Sequence, residues 1–589
     1  MMRYAELVSS YEMIESTSSR ISMTYYLVDL FRKTSDEDID KVIYLTEGKL
    51  YPAFVGIELG MAEKMALRAL SSATGMSQDK VENEYKKKGD MGIISENLLN
   101  IIKQPTLFKR DLDVKDVYEG LDKIARTSGS GSADTKIRIL SGLLTDASPK
   151  EAKYIMRMIT GKMRLGIADM TIIDALSQAF ANGRKEEVER IYNMTSDLGD
   201  IAKALRKSGM EGVKEYRARV GRPIRMMLAQ RLNSVKEIVE KTGMAICEYK
   251  YDGERVQIHK NGGKVELFSR NLENITGQYP DIVRMVLNNI KVGEAIVEGE
   301  CVAVDSATGY MLPFQELMKR RRKYGIEEKA EEFPVNMYLF DALLIDGEDI
   351  TNFPLIKRRN ILKNSVVEGN GLKLSHATMS KDSVEIEKFF EEAIENGGEG
   401  LILKDERGTY QAGARGWSWI KLKRSYQAKM VEPIDVVIVG AFMGRGRRSG
   451  NYGALLVAVY DRGRDMFATV SKVGSGFTDQ ELAEIPGMLD EYKLERRDVR
   501  VDSIIEADVW FVPKIVMEVI GDELTLSPIH PCGLGKIREN AGIAIRFPRF
   551  MHNWRYDKGA EDATSVAEII DMYKSQLKKI ESGVPIGTT

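Results

Sequence analysis

Apolar side chains recur at spacings of three and four through the first 215 residues, as in AEKMALRALSSA and ADMTIIDALSQAF. This is the period of an amphipathic α-helix, so the pattern predicts an all-helical region over residues 1–215. The Gly/Ser cluster SGSGSADTK at 128–136 interrupts the helices. Its spacing fits either a flexible connector or a helix N-terminus where free N–H groups and a lysine bind phosphate.

From about residue 245 the apolar period changes to two, which indicates β-strands. The alternation is clear in AICEYKYDGERVQIHK, KVELFSR, AIVEGECVAV, NMYLFDALLID and EGLILK. Helix-like segments such as SVEIEKFFEEAIE at 383–395 lie between these strands. The pattern predicts a mixed α/β (α+β) domain over residues 216–425.

Strands dominate again after about residue 430, in DVVIVGAFM, NYGALLVAVYD and DMFATVSKV, with Gly-rich turns between them. Short strands joined in this way are typical of a small barrel, so we expect an all-β domain over residues 426–589. The segment KRSYQAKMVEP at 423–433 lies between the last two domains and is the predicted hinge.

Charge and composition exclude several classes of protein. The chain has 589 residues with 86 Lys plus Arg against 88 Asp plus Glu, so it is not a uniformly basic nucleic-acid binder. Its three cysteines, Cys247, Cys301 and Cys532, cannot form a disulfide framework or a four-thiolate zinc site. No apolar run reaches the roughly 18 residues of a membrane helix, and the start lacks a signal-peptide core. We expect a cytoplasmic protein.

Basic side chains are concentrated locally. They outnumber acidic ones between residues 203 and 231 and between 404 and 450, where Arg445, Arg447 and Arg448 cluster. Each run fits either a solvated surface or a surface that follows phosphates. The cluster KRRRK at 319–323 is expected on an exposed helix face.

The segment EYKYDGER at 248–255 carries the main candidate for chemistry. Lys250 ends an alternating strand, Asp252 and Gly253 form a turn pair, and Arg255 enters the next strand. Because a lysine amine attacks only when neutral, we expect desolvation and cationic neighbours to lower the pKa of Lys250. A surface hairpin with ordinary charges is the alternative interpretation.

EYKYDGER resembles the KxDG motif of covalent nucleotidyltransferases, and of ATP-dependent DNA ligases in particular. Further segments match that family in order: SRN at 269–271, EGE at 298–300, YLFDALLIDG at 338–347, GEGLILK at 398–404 and WIKLKR at 419–424. SSYEMIESTSSR, EGKLYPAF and RLGIADMTIIDAL resemble the helical domain of archaeal and eukaryotic-type ligases. The resemblance implies an all-α DNA-binding domain, an α/β nucleotidyltransferase domain and an all-β OB-fold barrel.

The resemblance also implies roles for individual residues. Lys250 would take AMP from ATP as a phosphoramidate, Glu248 would contact the adenine and Phe340 would stack on it. Glu300 and Glu399 would bind catalytic Mg²⁺. Glu300 would also contact the nucleotide. Arg255 and Arg270 would hold the sugar and phosphate, and the α-phosphate would be surrounded by Lys404, Arg415, Lys421 and Lys423.

The strand WSWIKLK agrees with those roles. A period of two puts Trp417, Trp419, Lys421 and Lys423 on one face, which is therefore basic and aromatic. Transferred phosphoryl groups spread charge over several oxygens, so fixed cations and a metal ion suit the chemistry. A Walker-type loop is disfavoured, because GxxxxGK[ST] is missing from the sequence and GRGRRSG at 444–450 lacks the GxGxxG spacing.

The C-terminal strings SPIHP, AIRFPRF and RYDKGAEDATS are similar to the end of the ligase OB-fold domain. Arg555, Asp557 and Lys558 fit its last motif, whose lysine meets the pyrophosphate of ATP. The chain departs from the family here, because MHNWRYDK replaces a stretch like IRxREDK and is one residue longer. The geometry of this loop and the role of Arg549 stay open.

The resemblance implies a monomeric ATP-dependent enzyme that seals nicks in duplex DNA during replication, repair and recombination, associated with the nucleoid when bound. KQPTLF, with Gln104, Leu107 and Phe108, is either a short sliding-clamp motif or an apolar anchor.

A capping guanylyltransferase or RNA ligase would leave the helical region and RFPRF unexplained. An NAD-dependent DNA ligase normally carries a four-cysteine zinc module. The alternative from another class is a noncatalytic single-strand binder built on an OB fold.

Overall fold

The computed structural model describes residues 1–101, 110–232, 234–305, 311–312, 314–320, 325–423, 433–444 and 451–581. The chain divides into two compact units, Met1–Lys421 and Leu422–Thr589. No helix in the described ranges is long and apolar enough to cross a membrane. The three predicted domain ranges, 1–215, 216–425 and 426–589, stay predictions.

The first part of unit 1 is helical, as the spacing predicted. Its helices are α1 Tyr4–Glu15, α2 Arg20–Lys33, α3 Ile39–Glu47, α4 Glu63–Thr74, α5 Gln78–Lys88, α6 Met91–Ile101, α7 Val114–Arg126, α8 Ser132–Asp146, α9 Pro149–Ile159, α10 Asp169–Phe180, α11 Lys185–Thr195 and α12 Leu198–Ser208. A continuous apolar core runs through them and includes Leu7, Phe31 and Leu121, which are fully buried. The Ser148 hydroxyl and the Glu151 carboxylate cap α9 reciprocally, at 3.3 and 2.7 Å.

The Gly/Ser cluster leads into α8, and its lysine is engaged within the fold. The Nζ of Lys136 donates to the carbonyl oxygens of Leu59 and Gly60, at 3.1 and 3.0 Å. Lys136 is 8% exposed. Its ammonium group therefore holds the loop before α4 and does not present a phosphate site in this state.

The rest of unit 1 alternates strands with helices. In order, these are β1 Leu228–Arg231, α13 Val235–Thr242, β2 Ala245–Lys250, β3 Glu254–Asn261, β4 Lys264–Ser269, α14 Pro280–Asn289, β5 Glu294–Ala303, α15 Phe314–Met318, α16 Ile326–Glu332, β6 Val335–Ile345, β7 Glu348–Asp349, α17 Leu355–Ser365, β8 Leu372–Leu374, β9 Ala377–Ser380, α18 Ser383–Glu395, β10 Gly400–Asp405 and β11 Arg415–Lys423. The predicted α/β class is confirmed.

These strands form two sheets. One has the order β1-β11-β10-β2-β9, and the other has the order β4-β3-β5-β6-β7, with β8 paired to β6. The turn at residues 251–253 passes from β2 in the first sheet to β3 in the second. Because β2 pairs with β10 and β9 while β3 pairs with β4 and β5, this segment is a link between sheets. The surface-hairpin interpretation of EYKYDGER is wrong.

Unit 2 is built mainly of strands around a curled sheet, as expected for the β domain. Its elements are β12 Ile434–Met443, β13 Tyr452–Asp461, β14 Met466–Val473, α19 Asp479–Leu489, β15 Lys493–Leu494, β16 Val501–Asp502, β17 Val509–Phe511, β18 Val516–Ile520, β19 Glu523–Ser527, β20 Gly542–Arg546, β21 Arg549–Trp554 and α20 Val566–Glu581. Strand β12 lies centrally and pairs with β13, β17 and β18. Ile485 of α19 and Ile569 of α20 complete its core.

Candidate active site

The candidate site lies where β2 ends. The carbonyl oxygen of Lys250, the last residue of β2, accepts the N–H of Glu399 at 2.7 Å. After the turn, Gly253 passes so close to β5 that a Cβ atom there would lie 2.3 Å from the carbonyl oxygen of Cys301. Only glycine allows that approach, so the DG turn brings the chain against β5 three residues after Lys250.

The neighbours of the Lys250 ammonium group are acidic. Its Nζ lies 2.5 Å from Oε2 of Glu399. Burial lowers the pKa of Lys250, but the carboxylates of Glu399 and Glu300 outweigh burial and leave that pKa raised. The expectation of cationic neighbours is therefore wrong for this state, in which Lys250 is an ammonium ion.

Glu300 is a strongly perturbed carboxyl group at the site. Burial raises the pKa of Glu300 to about 7, although Lys250, Arg255 and Arg270 act to lower it. On β5 it stands opposite Arg255 of β3 in the ladder. The structure thus brings together Lys250, Glu300 and Glu399, and Arg270 lies near enough to affect the pKa of Glu300.

Glu300 and Glu399 are the residues that could hold a metal ion. The described residues contain no group of three or more His, Cys, Asp or Glu side chains with metal-site geometry. Mg²⁺ is usually held by one or two carboxylates together with substrate phosphates and water. Two adjacent carboxylates of this kind fit Mg²⁺, because burial disfavours the negative charge of Glu300 unless cations lie beside it.

Glu248 is buried between two cations. Its Oε2 accepts from Nζ of Lys404 at 2.8 Å, and its Oε1 accepts from the guanidinium group of Arg359 on α17. The Lys404 Nζ also lies 4.4 Å from the Phe340 ring centre and 4.2 Å from that of Trp419. In this state Lys404 therefore accompanies Glu248 and Phe340, and burial lowers the pKa of Lys404.

The guanidinium group of Arg255 lies beside the same two aromatic rings, those of Phe340 and Trp419. Its guanidinium carbon lies 5.3 Å from the Phe340 ring centre and 5.2 Å from that of Trp419. The carboxylate of Glu298 accepts from Arg255 at 2.7 Å. The Nε of Arg255 is buried and has no hydrogen-bond partner among the described residues. A buried donor left over in this way needs an acceptor, which water or a ligand supplies.

Strand β11 carries the other predicted phosphate ligands. Arg415, its first residue, is exposed, and Lys421 stands opposite Arg231 in the ladder with β1. Lys423 is the last residue of β11 and belongs to unit 2. Trp419 is buried against Phe340, whereas Trp417 is half exposed.

Sequence reasoning missed two residues that shape this site. Glu298 stands in the same EGE string as Glu300, so the string contained a signal for it. Arg359 lies in PLIKRRN, which matches no motif that we recognised. Only the fold shows that this helix brings a cation to Glu248.

The basic runs are partly explained by ion pairs. Arg206 pairs with Asp36 at 3.1 Å, Arg222 with Asp200 at 2.5 Å and Arg225 with Asp169 at 2.9 Å. Such pairs favour a structural role for these members of the 203–231 run. The exposed-face prediction for KRRRK is wrong at Arg320, which is 2% exposed and pairs with Asp281 at 2.8 Å.

In unit 2 the last motif is held by one carboxylate. Asp435 accepts from Arg555 at 3.0 Å and from Lys558 at 2.5 Å. The MHNWRYDK stretch contains an irregularity in the β18–β21 pairing, where the register shifts between Met517 and Val519. His552 in this stretch has φ +57° and its ring lies 2.9 Å from the Glu481 carboxylate. Arg549 lies 3.6 Å from Asp522.

Several predicted features lie outside the described residues. They are the candidate clamp residues Gln104, Leu107 and Phe108, the hinge residues 424–432, the basic residues Arg445, Arg447 and Arg448, and residues 321–323 of KRRRK.

Comparisons with known proteins show which family this chain resembles. Residues 3–177, 226–423 and 448–558 match the families described as DNA ligase N terminus, ATP dependent DNA ligase domain and ATP dependent DNA ligase C terminal region. The chain is 53% identical over 588 residues to "DNA ligase 2" of Thermofilum pendens, covering 98% of each chain. It is 50% identical over 582 residues to "DNA ligase" of Pyrobaculum arsenaticum, covering 98% of this chain and 99% of that one.

A solved structure named "Pmar-Lig_Pre." has a similar fold, with a TM-score of 0.54 at 17% identity over 93% of this chain and 99% of the other. The regions matched by the three ligase families include β2, which ends in Lys250, and the C-terminal motif up to Lys558. On the strength of the three matched regions and relatives of about half identity along the whole chain, this protein belongs to the family of ATP-dependent DNA ligases.

Proposed function

We propose that this chain seals nicks in duplex DNA through a covalent lysine–AMP intermediate. The Lys250 amine attacks the α-phosphorus of ATP, forms a phosphoramidate and releases pyrophosphate. The AMP then passes to the 5′-phosphate at the nick, and the 3′-hydroxyl attacks that phosphate and releases AMP. The observation that carries this proposal is Lys250 itself, fixed at a strand end beside Glu399 and Glu300.

The nucleotide would lie along the Phe340 side of the site. Phe340 and Trp419 give an aromatic wall, and Glu248 gives a fixed acceptor for an amino group. The unused Nε of Arg255 is a donor beside that wall, since the guanidinium carbon lies 5.3 Å from the Phe340 ring centre. We assign Arg255 and Arg270 to the sugar and phosphates, and Arg415, Lys421 and Lys423 to the α-phosphate. Lys404 joins the phosphate only if it leaves Glu248.

Glu300 and Glu399 are the proposed Mg²⁺ ligands. A divalent cation bound there would neutralise charge on the phosphate oxygens that Lys250 approaches. In the chain as described, these two carboxylates stabilise the protonated form of Lys250. They also position the amine, because the backbone N–H of Glu399 and its side chain both contact Lys250.

The partners and location follow from the proposed reaction. We propose nicked duplex DNA as substrate and a monomer that acts in replication, repair and recombination in the cytoplasm, at the nucleoid. Lys558 would meet the pyrophosphate after the OB domain rotates about residues 423–433. Scattering profiles that stay identical with and without nicked DNA would argue against that rotation.

A clamp contact through Gln104, Leu107 and Phe108 is a separate proposal. The Phe108→Ala variant should lose binding to a sliding clamp while it still seals free nicks. Unchanged clamp binding would remove the proposal.

The direct test of the function is sealing of a singly nicked duplex by the full chain with ATP and Mg²⁺. Parallel reactions contain GTP, NAD, nicked RNA or single-stranded DNA. We expect sealed DNA with ATP alone. GTP-dependent labelling would favour a capping-type enzyme, sealing with NAD would favour the NAD-dependent class, and sealing of RNA alone would favour an RNA ligase. Tight single-strand binding without sealing would favour the noncatalytic alternative.

A further inference from the structure

Residues 216–227, here called the connecting segment, lie between the helical region and β1 and bind to both sides. On the helical side, Arg222 pairs with Asp200 at 2.5 Å. The Ser196 hydroxyl donates to the carbonyl oxygen of Pro223 at 2.7 Å. Side chains and backbone thus fix the connecting segment to the helical region.

On the other side, two fully buried side chains of β3 bind the backbone of the connecting segment. The N–H of Gly221 donates to Nδ1 of His259 at 3.0 Å. The Gln257 side chain accepts from the N–H of Ile224 at 2.8 Å and donates to its carbonyl oxygen at 3.0 Å. Gln257 and His259 are 0% exposed, so water cannot replace these bonds.

The direction of every hydrogen bond is determined, because backbone N–H groups can only donate. Gly221 fixes Nδ1 of His259 as the acceptor, so Nε2 carries the proton and donates to Oε1 of Gln257 at 2.9 Å. Ile224 fixes the same Oε1 as an acceptor, so the Gln257 amide cannot flip. Burial lowers the pKa of His259 to about 3, which agrees with the neutral ring that this pattern requires.

The series of bonds ends at the nucleotide side of the site. The Nε2 of Gln257 donates to Oε1 of Glu298 at 3.0 Å, and Oε2 of Glu298 accepts from Arg255 at 2.7 Å. Arg255 also donates to the carbonyl oxygen of Met227, in the connecting segment, at 2.6 Å. The guanidinium group is therefore held by Glu298 and by the connecting segment together, with its Nε left over.

We propose that Gln257 is a positioning residue that links the connecting segment to the Glu298–Arg255 pair, so that the helical region sets the geometry of the nucleotide pocket. The inference rests on the proposed function, in which Arg255 contacts ATP. It assigns the helical region a part in ATP binding, before any DNA is present.

The test is single-turnover labelling of the full chain by ATP that carries label on the α-phosphate, measured against ATP concentration without DNA. In Gln257→Met the half-saturating ATP concentration should rise about tenfold, the equivalent of one buried hydrogen bond to a charged group. The maximal labelling rate should stay within about twofold, because Lys250 and its carboxylates are untouched. A purely structural defect would instead lower the fraction of protein that labels.

The matched control lies on the same strand. Lys260 is buried and donates to the carbonyl oxygen of Val292 at 2.6 Å, away from the connecting segment. Lys260→Met should leave the half-saturating ATP concentration unchanged. If the melting curve shows that Gln257→Met does not fold, His259→Asn is used instead. It alters the contact between Gly221 and Gln257 in the same series of hydrogen bonds.

The link to the helical region is tested with Arg222→Gln. This variant should also raise the half-saturating ATP concentration, and the double variant with Gln257→Met should show no more than the larger single effect. Unchanged saturation in either single variant, or additive effects in the double variant, would overturn the inference. If the wild type takes no label after treatment with pyrophosphate to remove carried-over AMP, the proposed function fails and the inference with it. A labelled wild type with unaffected variants contradicts the inference alone.

Discussion

Glu399 contacts Lys250 twice: its N–H donates to the Lys250 carbonyl oxygen at 2.7 Å, and its Oε2 lies 2.5 Å from the Lys250 Nζ. The backbone contact arises where β2 and β10 pair, since Lys250 and Gly400 are partners in that ladder. The proposed nucleophile and its acidic neighbour are therefore positioned by one piece of sheet. In this state the pKa of Lys250 is raised, so its proton must leave before the amine attacks.

Removal of divalent cations should stop labelling and leave the fold intact. The proposed Mg²⁺ ligands are two carboxylates, and the described residues hold no larger metal-type cluster on which folding could depend. With a chelator in excess, we expect no lysine–AMP from ATP and a melting temperature within about 1 °C of the untreated chain, because no structural metal energy is lost. A large fall in melting temperature would show a structural metal instead.

Two glutamates at the site should differ sharply in their effect on stability. Glu248→Gln leaves the buried Lys404 and the partly buried Arg359 without their counter-charge, which costs on the order of 3–5 kcal/mol. Glu399→Gln leaves Glu300 to balance Lys250, so we expect a loss of about 1 kcal/mol or less. Thermal melts of both variants beside the wild type compare them. Equal losses would contradict the assigned contacts.

The free energy of unfolding should decrease as pH rises, because of Glu47 in the helical region. Burial raises the pKa of Glu47 from 4.5 to about 7 despite Lys49, 2.9 Å away. The folded state therefore binds this proton more tightly than the unfolded state, and stability is lost as pH rises from about 4.5 through about 7. Glu47→Gln should remove up to about 3 kcal/mol of that dependence. Thermal melts of the variant and the wild type at about pH 5 and about pH 8 measure this pH dependence. An equal pH dependence of stability in both proteins would contradict the role of Glu47.

Lys558→Ala should separate the first step from the last. In this structure Lys558 and Arg555 are held by Asp435 within unit 2, so the lysine is positioned without contributing to the apolar core. We expect the variant to lose lysine–AMP formation by at least about tenfold, as for one lost charge-assisted contact. It should still seal a nick that already carries AMP on its 5′-phosphate. Equal loss in both assays would place Lys558 elsewhere in the reaction.

Much of this site was predictable from sequence, because its parts are short strings with fixed local geometry. The period of two placed Lys250 at a strand end, and the DG pair required the turn that Gly253 makes against β5. The charge around Lys250 was not predictable in this way. Glu399, directly before β10, and Glu300, on β5, lie far apart in the chain, and a period does not show which strands become neighbours.

The same limit explains Arg359 and Gln257. Arg359 reaches Glu248 across 111 positions of sequence, and Gln257 binds backbone groups of the connecting segment, which carry no sequence signal. Lys136 was open to two interpretations because its choice of carbonyl partners depends on tertiary packing. Helix and strand patterns gave the domain classes, whereas polar contacts between distant segments required the fold.

The most direct test of the account is to find the residue that carries AMP. The wild type and the Lys250→Ala variant are incubated with ATP labelled at the α-phosphate, separated under denaturing conditions and then exposed to nicked DNA. The account predicts label on the wild type from ATP, at Lys250 by peptide mass, absent from the variant and transferred into sealed DNA. Prior treatment with pyrophosphate removes any carried-over AMP. Label that persists in the variant, or none on the pyrophosphate-treated wild type, would contradict it.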